Sequence, residues 1–188
     1  MPEEIQEISS FKEATDYVVQ RYKFIPENYP KLEGLNPSEV QIFAIKHSLF
    51  HMQKTLRNIV EAKDKLSAGD PAGKELQEKA VAKMFINCLL LIHLLKGDMS
   101  VEWWDENFPI GAPGNRLTLP IGPAIDDIIS AMGDIAEECE NYDHEGVYKT
   151  PVVTNAAIII LHRTLRFSAN FRKFIHLLER IPEVMKSK

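Results

Sequence analysis

The residues from Met84 to Leu95 form the longest nearly apolar stretch of this 188-residue chain, and only Asn87 and His93 interrupt it. A helix that crosses a membrane needs roughly 20 such residues, so this stretch is too short to span one. A helix that is apolar nearly all round must instead be covered by neighbouring elements on every side. The sequence therefore predicts a bundle with one central, buried helix.

Capping and helix-breaking residues divide the chain into five predicted helices. The first is short, since Ser10 and Glu13 have the spacing of a capping box and the helix should end near Tyr22. The second begins at Asn36-Pro37-Ser38-Glu39, which supplies an N-cap, a proline at the first helical position and an acid at the third. The four long helices are predicted over 37–66, 73–96, 123–142 and 151–172, and the last continues at least to Arg172.

Apolar residues recur with helical spacing in these segments. Two series in the second helix repeat every seven residues and form one seam: Ile42, Leu49 and Leu56, and Ile45, Met52, Ile59 and Leu66. The fourth helix collects apolar residues on one face: Ile125, Ile128, Ile129, Met132, Ile135, Ala136 and Cys139. No segment shows the period-two alternation of a half-buried strand. The sequence therefore predicts an all-α protein, a helical bundle of four long helices plus a short N-terminal one.

The long helices group into two predicted α-hairpins within a single all-α domain, residues 1–188. The first hairpin covers residues 36–98 and the second covers residues 123–180. Between them, residues 99–122 form a connector rich in proline and glycine. Connectors of this length are typically functional or disordered, and the apolar content of this one indicates that it packs against the bundle.

The second helices of the two hairpins share a local pattern, in which Asn87 precedes His93 and Asn155 precedes His162 within aliphatic runs. The pattern fits an internal duplication, and it also fits the chance similarity of aliphatic helices. Buried polar side chains are usually paired within the fold. We therefore expect Asn87 and Asn155 to hydrogen-bond to a neighbouring helix, with a bound ligand as the alternative partner.

Charge and cysteine content restrict the class of protein. The net charge of −5 gives no global basic field for nucleic acid, and a basic stripe from Arg163 to Arg180 is only a local alternative. The first ten residues lack the basic and apolar regions of a secretory signal. Cys88 and Cys139 belong to no CxxC motif, as is typical of reduced thiols. We expect a cytoplasmic protein that binds neither a membrane nor nucleic acid.

The charges of the second hairpin are separated along the chain. Residues 123–146 hold eight acids and no lysine or arginine, whereas residues 147–188 hold eight bases and two acids. This separation indicates that the fourth and fifth helices form an antiparallel pair. Two interpretations remain open: an acidic metal site beside an anion-binding stripe, or complementary solvated faces, which charge runs usually form.

His47 and His51 stand four residues apart, so they lie on one side of the second helix. With Lys54 they could contact an anion or a phosphate, although half-buried histidines at a helix or subunit interface are the commoner case. No HExxH or CxxC motif completes a zinc site. No histidine has a glutamate three residues before it, which excludes the Glu-x-x-His pairs of a ferritin-like di-iron bundle.

The stretch Gly133-Asp134-Ile135-Ala136-Glu137-Glu138, followed by an aliphatic helix, resembles the MazG-like all-α nucleoside triphosphate pyrophosphohydrolases. In that family clustered carboxylates hold Mg²⁺, and water attacks the metal-bound triphosphate to release pyrophosphate. Hard oxygen ligands of this kind are what Mg²⁺ requires. The resemblance implies a metal site at Asp134, Glu137, Glu138 and Asn155. The motif acids are incomplete, because Ala131 and Val152 occupy positions where the family has acids.

Two functions follow from these patterns. In the first, a MazG-like protein with a degenerate metal site binds or hydrolyses a nucleotide phosphate ester, using Mg²⁺ if it is catalytic. The substrate would then contact His47, His51, Lys54 and Asn87. In the second, the chain is a non-catalytic helical binding protein, and an apolar stripe forms the interface of a homo-oligomer. That stripe consists of Phe43, Phe50, Trp103 and Trp104.

Overall fold

Five α-helices occupy most of the residues that the computed structural model describes, 11–95, 121–167 and 181. They are α1 (Phe11–Arg21), α2 (Pro37–Ser67), α3 (Ala72–Leu95), α4 (Ile121–Glu145) and α5 (Thr150–Phe167), with a 3₁₀ turn at Pro30–Leu32. Within these ranges there is no strand, which confirms the predicted all-α class. Helix α4 begins two residues before Pro123, because a proline in the first turn removes no helical hydrogen bond.

Parts of the sequence prediction lie outside the described residues. Residues 96–120 include most of the predicted connector, with Trp103 and Trp104, and residues 168–180 include the predicted continuation of the last helix to Arg172.

The start of α2 has the predicted N-cap at Asn36, which forms a capping box with Glu39. The Asn36 side-chain oxygen accepts hydrogen bonds from the backbone N–H groups of Ser38 and Glu39, at 2.9 and 3.0 Å. The Glu39 carboxylate accepts one from the Asn36 backbone at 2.8 Å. These bonds satisfy N–H groups that have no partner inside the helix, so the sequence signal and the local geometry agree.

Replacing Asn36 by alanine is expected to lower the free energy of unfolding by about 1 kcal/mol, because two backbone donors lose their acceptor. Urea denaturation followed by circular dichroism measures the change. Asn36→Asp keeps an acceptor oxygen and serves as the control, with a loss well below that of the alanine variant. Equal losses in both variants would contradict a role for the cap.

The four long helices form a bundle in which neighbours run antiparallel. Helix α2 packs against α3 and α4, and α5 packs against the same two helices. The Gln41 side chain donates to the Leu94 carbonyl at 2.8 Å, and Lys46 pairs with Asp143 at 2.5 Å. The ends of α3 and α4 therefore both lie beside the beginning of α2. It follows that α3 and α4 run parallel, so the last residue of α3 and the first residue of α4 lie at opposite ends of the bundle.

Helix α3 is the central helix that its apolar sequence predicts. Its buried residues are distributed around the helix and include Met84, Phe85 and Leu91, and it contacts α1, α2 and α5. The predicted seam of α2 is also buried, except for Leu66, which lies in the last turn and is 40% exposed. No helix among the described residues is long and apolar enough to cross a lipid bilayer.

Candidate functional site

The acids of α4 divide into exposed and buried groups. Asp134 and Glu137 are exposed, whereas Glu138 is only 4% exposed. The Glu138 carboxylate accepts a hydrogen bond from the backbone N–H of Lys149 at 2.6 Å. A buried carboxylate needs such a donor, and this bond ties α4 to the segment that leads into α5. Glu138 thus has a structural contact that its sequence motif does not reveal.

Two contacts set the level of α5 against α4. Glu138 meets Lys149 near the turn, and Asp127 pairs with Arg163 at 2.6 Å further along. This confirms that the two helices are antiparallel, and the register places Asn155 near the level of Asp134. Both of these side chains are exposed.

No group of three or more histidine, cysteine, aspartate or glutamate side chains in the described part of the chain is placed to hold a metal ion. Asp134, Glu137 and Glu138 are therefore not gathered around one point. A role for them and for Asn155 in binding Mg²⁺ remains a prediction.

His47 belongs to an aromatic cluster between the first turns of α2 and the segment before it. Its ring stacks on Phe43 with centroids 5.9 Å apart, and the rings of Phe24 and Tyr29 meet its edge at 5.7 and 5.1 Å. The His51 ring lies 4.6 Å from that of His47. His47 is half-buried, as the packing interpretation expects, whereas His51 is exposed.

Lys54 and Asn87 are the other two residues of the predicted substrate site. Lys54 is exposed on α2. The Asn87 amide donates to the Lys83 carbonyl in its own helix at 2.7 Å, so the expected bond to a neighbouring helix is wrong. An asparagine within a helix can turn back to the carbonyl four residues earlier. The expected burial of Asn155 is also wrong, since that side chain is exposed and solvent can satisfy it.

Both cysteines are free thiols inside the bundle. Burial raises the pKa of the Cys88 thiol far above its ordinary range. Burial also raises the pKa of Cys139, from 9.0 to about 11; nearby Lys46 lowers it, while Asp143 and Glu138 raise it. The neutral thiol is therefore the stable form of both side chains at physiological pH.

Alkylation of the folded protein by iodoacetamide at pH 8 is expected to be about a hundredfold slower than that of the urea-unfolded chain, because only the thiolate reacts. Because folding raises the pKa of Cys139, the folded protein favours the neutral thiol of this residue. The stability that this preference contributes is fully present below pH 9.0 and is lost as the pH rises through about 11. Mass spectrometry of timed samples measures the rates, and Cys139→Ser isolates the slower Cys88. Equal rates for folded and unfolded protein would contradict this assignment.

An open groove runs along the junction of α2 and α4. Its volume is about 760 Å³. We call it the α2–α4 groove, and it is lined by Gln53, Leu56, Arg57, Val60, Glu61, Asp64, Ile129, Met132, Gly133 and Ala136. Ile129 is 53% exposed there and Ala136 is also exposed, so the predicted apolar face of α4 is only partly buried. The apolar face of α4 is wider than the surface that its neighbours cover.

The apolar surface continues past the groove to Phe50, which lies one turn before Gln53 on the same side of α2 and is 67% exposed. Phe43, another member of the predicted oligomer stripe, packs instead in the aromatic cluster. Sequence reasoning identified Phe50 but missed the groove. The groove could have been predicted from Ile129 and Ala136, because these two residues lie at one edge of the apolar face of α4.

Comparison with known proteins gives no family from which to transfer a role to these residues. The chain matches no protein-family model, and neither the curated proteins nor the solved structures include a significant match. The groove, the acids of α4 and the histidines of α2 must therefore be interpreted from their own chemistry.

Proposed function

We propose that this protein is a non-catalytic helical binding protein and that the α2–α4 groove, with the adjacent Phe50, is the surface that binds a protein partner. The observation that carries the proposal is the exposure of Phe50 and Ile129 at this surface, at 67% and 53%. Exposed apolar side chains that line a groove are typical of protein interaction sites.

A partner at this surface would cover the exposed parts of Phe50 and Ile129. Burying a phenylalanine or isoleucine side chain contributes roughly 1.5–3 kcal/mol each. Leu56 and Met132 form the floor of the groove and are already buried, so a partner gains contact with them without moving the core. Apolar residues at the centre of an interface, as Leu56 and Met132 would be here, carry most of the affinity of protein interfaces.

Site-specific photo-crosslinking tests the proposal. A benzoylphenylalanine at position 129 is expected to crosslink to a protein several times more than one at position 147. Val147 is the matched control, because it is 60% exposed but lies beyond the end of α4, away from the groove. The crosslinked species are identified by mass spectrometry from the cells that make the protein. Equal crosslinking at the two positions would refute the proposal.

A MazG-like protein that binds or hydrolyses a nucleotide phosphate ester is the second candidate. It is favoured by the shared level of Asp134 and Asn155 along the α4–α5 hairpin, inferred from the contacts of Glu138 and Asp127. Titration of Mg²⁺ with a panel of nucleoside triphosphates would show turnover or a rise in the melting temperature. Absence of both would eliminate this candidate. We also propose a cytoplasmic location, because free thiols such as those of Cys88 and Cys139 persist there.

A further inference from the structure

We infer that the partner bound at the α2–α4 groove is a second copy of this chain, arranged so that α2 of each copy packs against α4 of the other. This inference rests on the proposed function and identifies the partner for it. Four exposed charged side chains carry the argument: Arg57, which lines the groove, and Lys54 on α2, and Asp134 and Glu137 on the outer surface of α4.

The ion pair of Lys46 with Asp143 fixes the level of α2 against α4. The two helices run antiparallel with the same rise per residue, so position 54 lies level with about position 135. The two bases and the two acids therefore lie within about one helical turn, 5.4 Å, of the same level. All four side chains are exposed, and none forms an ion pair within the described ranges.

A two-fold axis that runs along the bundle sets α2 of one copy against α4 of the other and leaves every residue at its level. Lys54 and Arg57 then face the partner's Asp134 and the partner's Glu137, and the symmetry repeats the contact. An axis across the bundle would instead set α2 against α2, and α4, which has no lysine or arginine, against α4. The acids of α4 therefore face lysine and arginine side chains only in the first arrangement.

Shape supports the same arrangement. A Cβ atom added at Gly133 would meet nothing within 4 Å, and Ala136 is exposed beside it. Phe50 lies within about one turn of the level of Ala136, so the phenylalanine of each copy can enter the space above the small residues of the other.

The charges at the far end of the groove partly oppose this contact. Glu61 and Asp64 lie near the level of Asp126, and Lys65 offsets them only in part, at 4.0 Å from Glu61. Glu61 and Asp64 line the groove, so the apolar contact of Phe50 and Ile129 and the opposite charges near Lys54 must outweigh this repulsion in the dimer.

The test is the oligomeric state of the full chain, measured by analytical ultracentrifugation over a range of concentrations. The wild type is expected to be a dimer. Charge reversal in Lys54→Glu with Arg57→Glu should raise the dimer Kd roughly 100-fold, and Asp134→Lys with Glu137→Lys should do the same, because like charges then face each other. Lys74→Glu with Lys79→Glu, on exposed positions of α3, is the control of equal charge change and should remain dimeric.

An equimolar mixture of the α2 double variant and the α4 double variant decides whether these charges face each other across the interface. In the mixed dimer each α2 again faces an α4 of opposite charge, so association should return to near the wild-type Kd. Circular dichroism spectra that match the wild type confirm that each variant folds.

Three outcomes would overturn the inference: a wild type that is monomeric at every concentration, variants that stay dimeric, or a mixture that stays monomeric. If crosslinks from position 129 still lead to another protein, the proposed function stands and only the identity of the partner is wrong. Loss of binding to that protein in the α4 variant alone would indicate a basic partner.

Discussion

Replacing Phe85 by alanine is expected to lower the free energy of unfolding by about 3–5 kcal/mol, the range for truncating a fully buried phenylalanine. Phe85 has no exposed surface and lies in the middle of α3, which three other helices contact. The loss combines the transfer free energy of the ring with the cost of the cavity that remains. Since whole domains are stable by only about 5–15 kcal/mol, this one change removes a large part of the total.

Phe50→Ala is the matched control, because it removes the same ring from a site that is 67% exposed. Its effect on the isolated monomer is expected to stay within about 0.5 kcal/mol. Urea denaturation at low protein concentration measures both variants, so that association does not add to the stability. Similar losses in the two variants would mean that α3 is not the centre of the core.

Replacing Gly73 by alanine is expected to lower the free energy of unfolding by about 1–3 kcal/mol, the usual cost of overpacking. A Cβ atom at this position would lie 2.8 Å from the Ala62 carbonyl oxygen and 2.9 Å from the Leu66 backbone nitrogen. Two of the three nearest atoms belong to the backbone of α2, so relief requires the first turn of α3 to move away from α2. The gain in helix propensity from alanine is smaller than this cost.

Gly122→Ala provides the control for this position. Gly122 is the second residue of α4, as Gly73 is the second residue of α3, yet an added Cβ atom would meet nothing within 4 Å. This variant is expected to be neutral or more stable by up to about 1 kcal/mol, because alanine restricts the unfolded chain. Thermal and urea denaturation compare the Gly73 and Gly122 variants directly. If Gly122→Ala were also destabilised, steric contact with the added Cβ atom would not explain the loss at Gly73.

The helices could be predicted because their signals are local. Asn36 is the predicted N-cap of α2, and Gly146, with φ of 72°, follows the last residue of α4 at the end of the acidic segment. The apolar run of α3 predicted its burial, because a helix that is apolar on all sides has no face for solvent. These features depend on residues within a turn or two of each other, which the sequence shows directly.

The side-chain contacts could not be predicted in the same way. Asn87 bonds within its own helix, and Glu138 reaches a backbone N–H eleven residues away, because each depends on the local direction of the side chain. Ile129 belongs to the apolar face of α4 by its spacing, but α2 leaves it exposed. Periodicity gives the width of an apolar face but not the extent to which neighbours cover it.

The sequence by itself determined that this chain is all-α, where its described helices begin and end to within a few residues, and that the stretch from Met84 to Leu95 lies at the centre. Only the tertiary structure decided which faces stay open: Phe50 and Ile129 beside a groove, and exposed charges of opposite sign within about one turn of the same level on α2 and α4. The physical reason is that helix formation depends on short-range periodicity and capping. The relative level and separation of two helices depend on the packing of residues far apart in the chain.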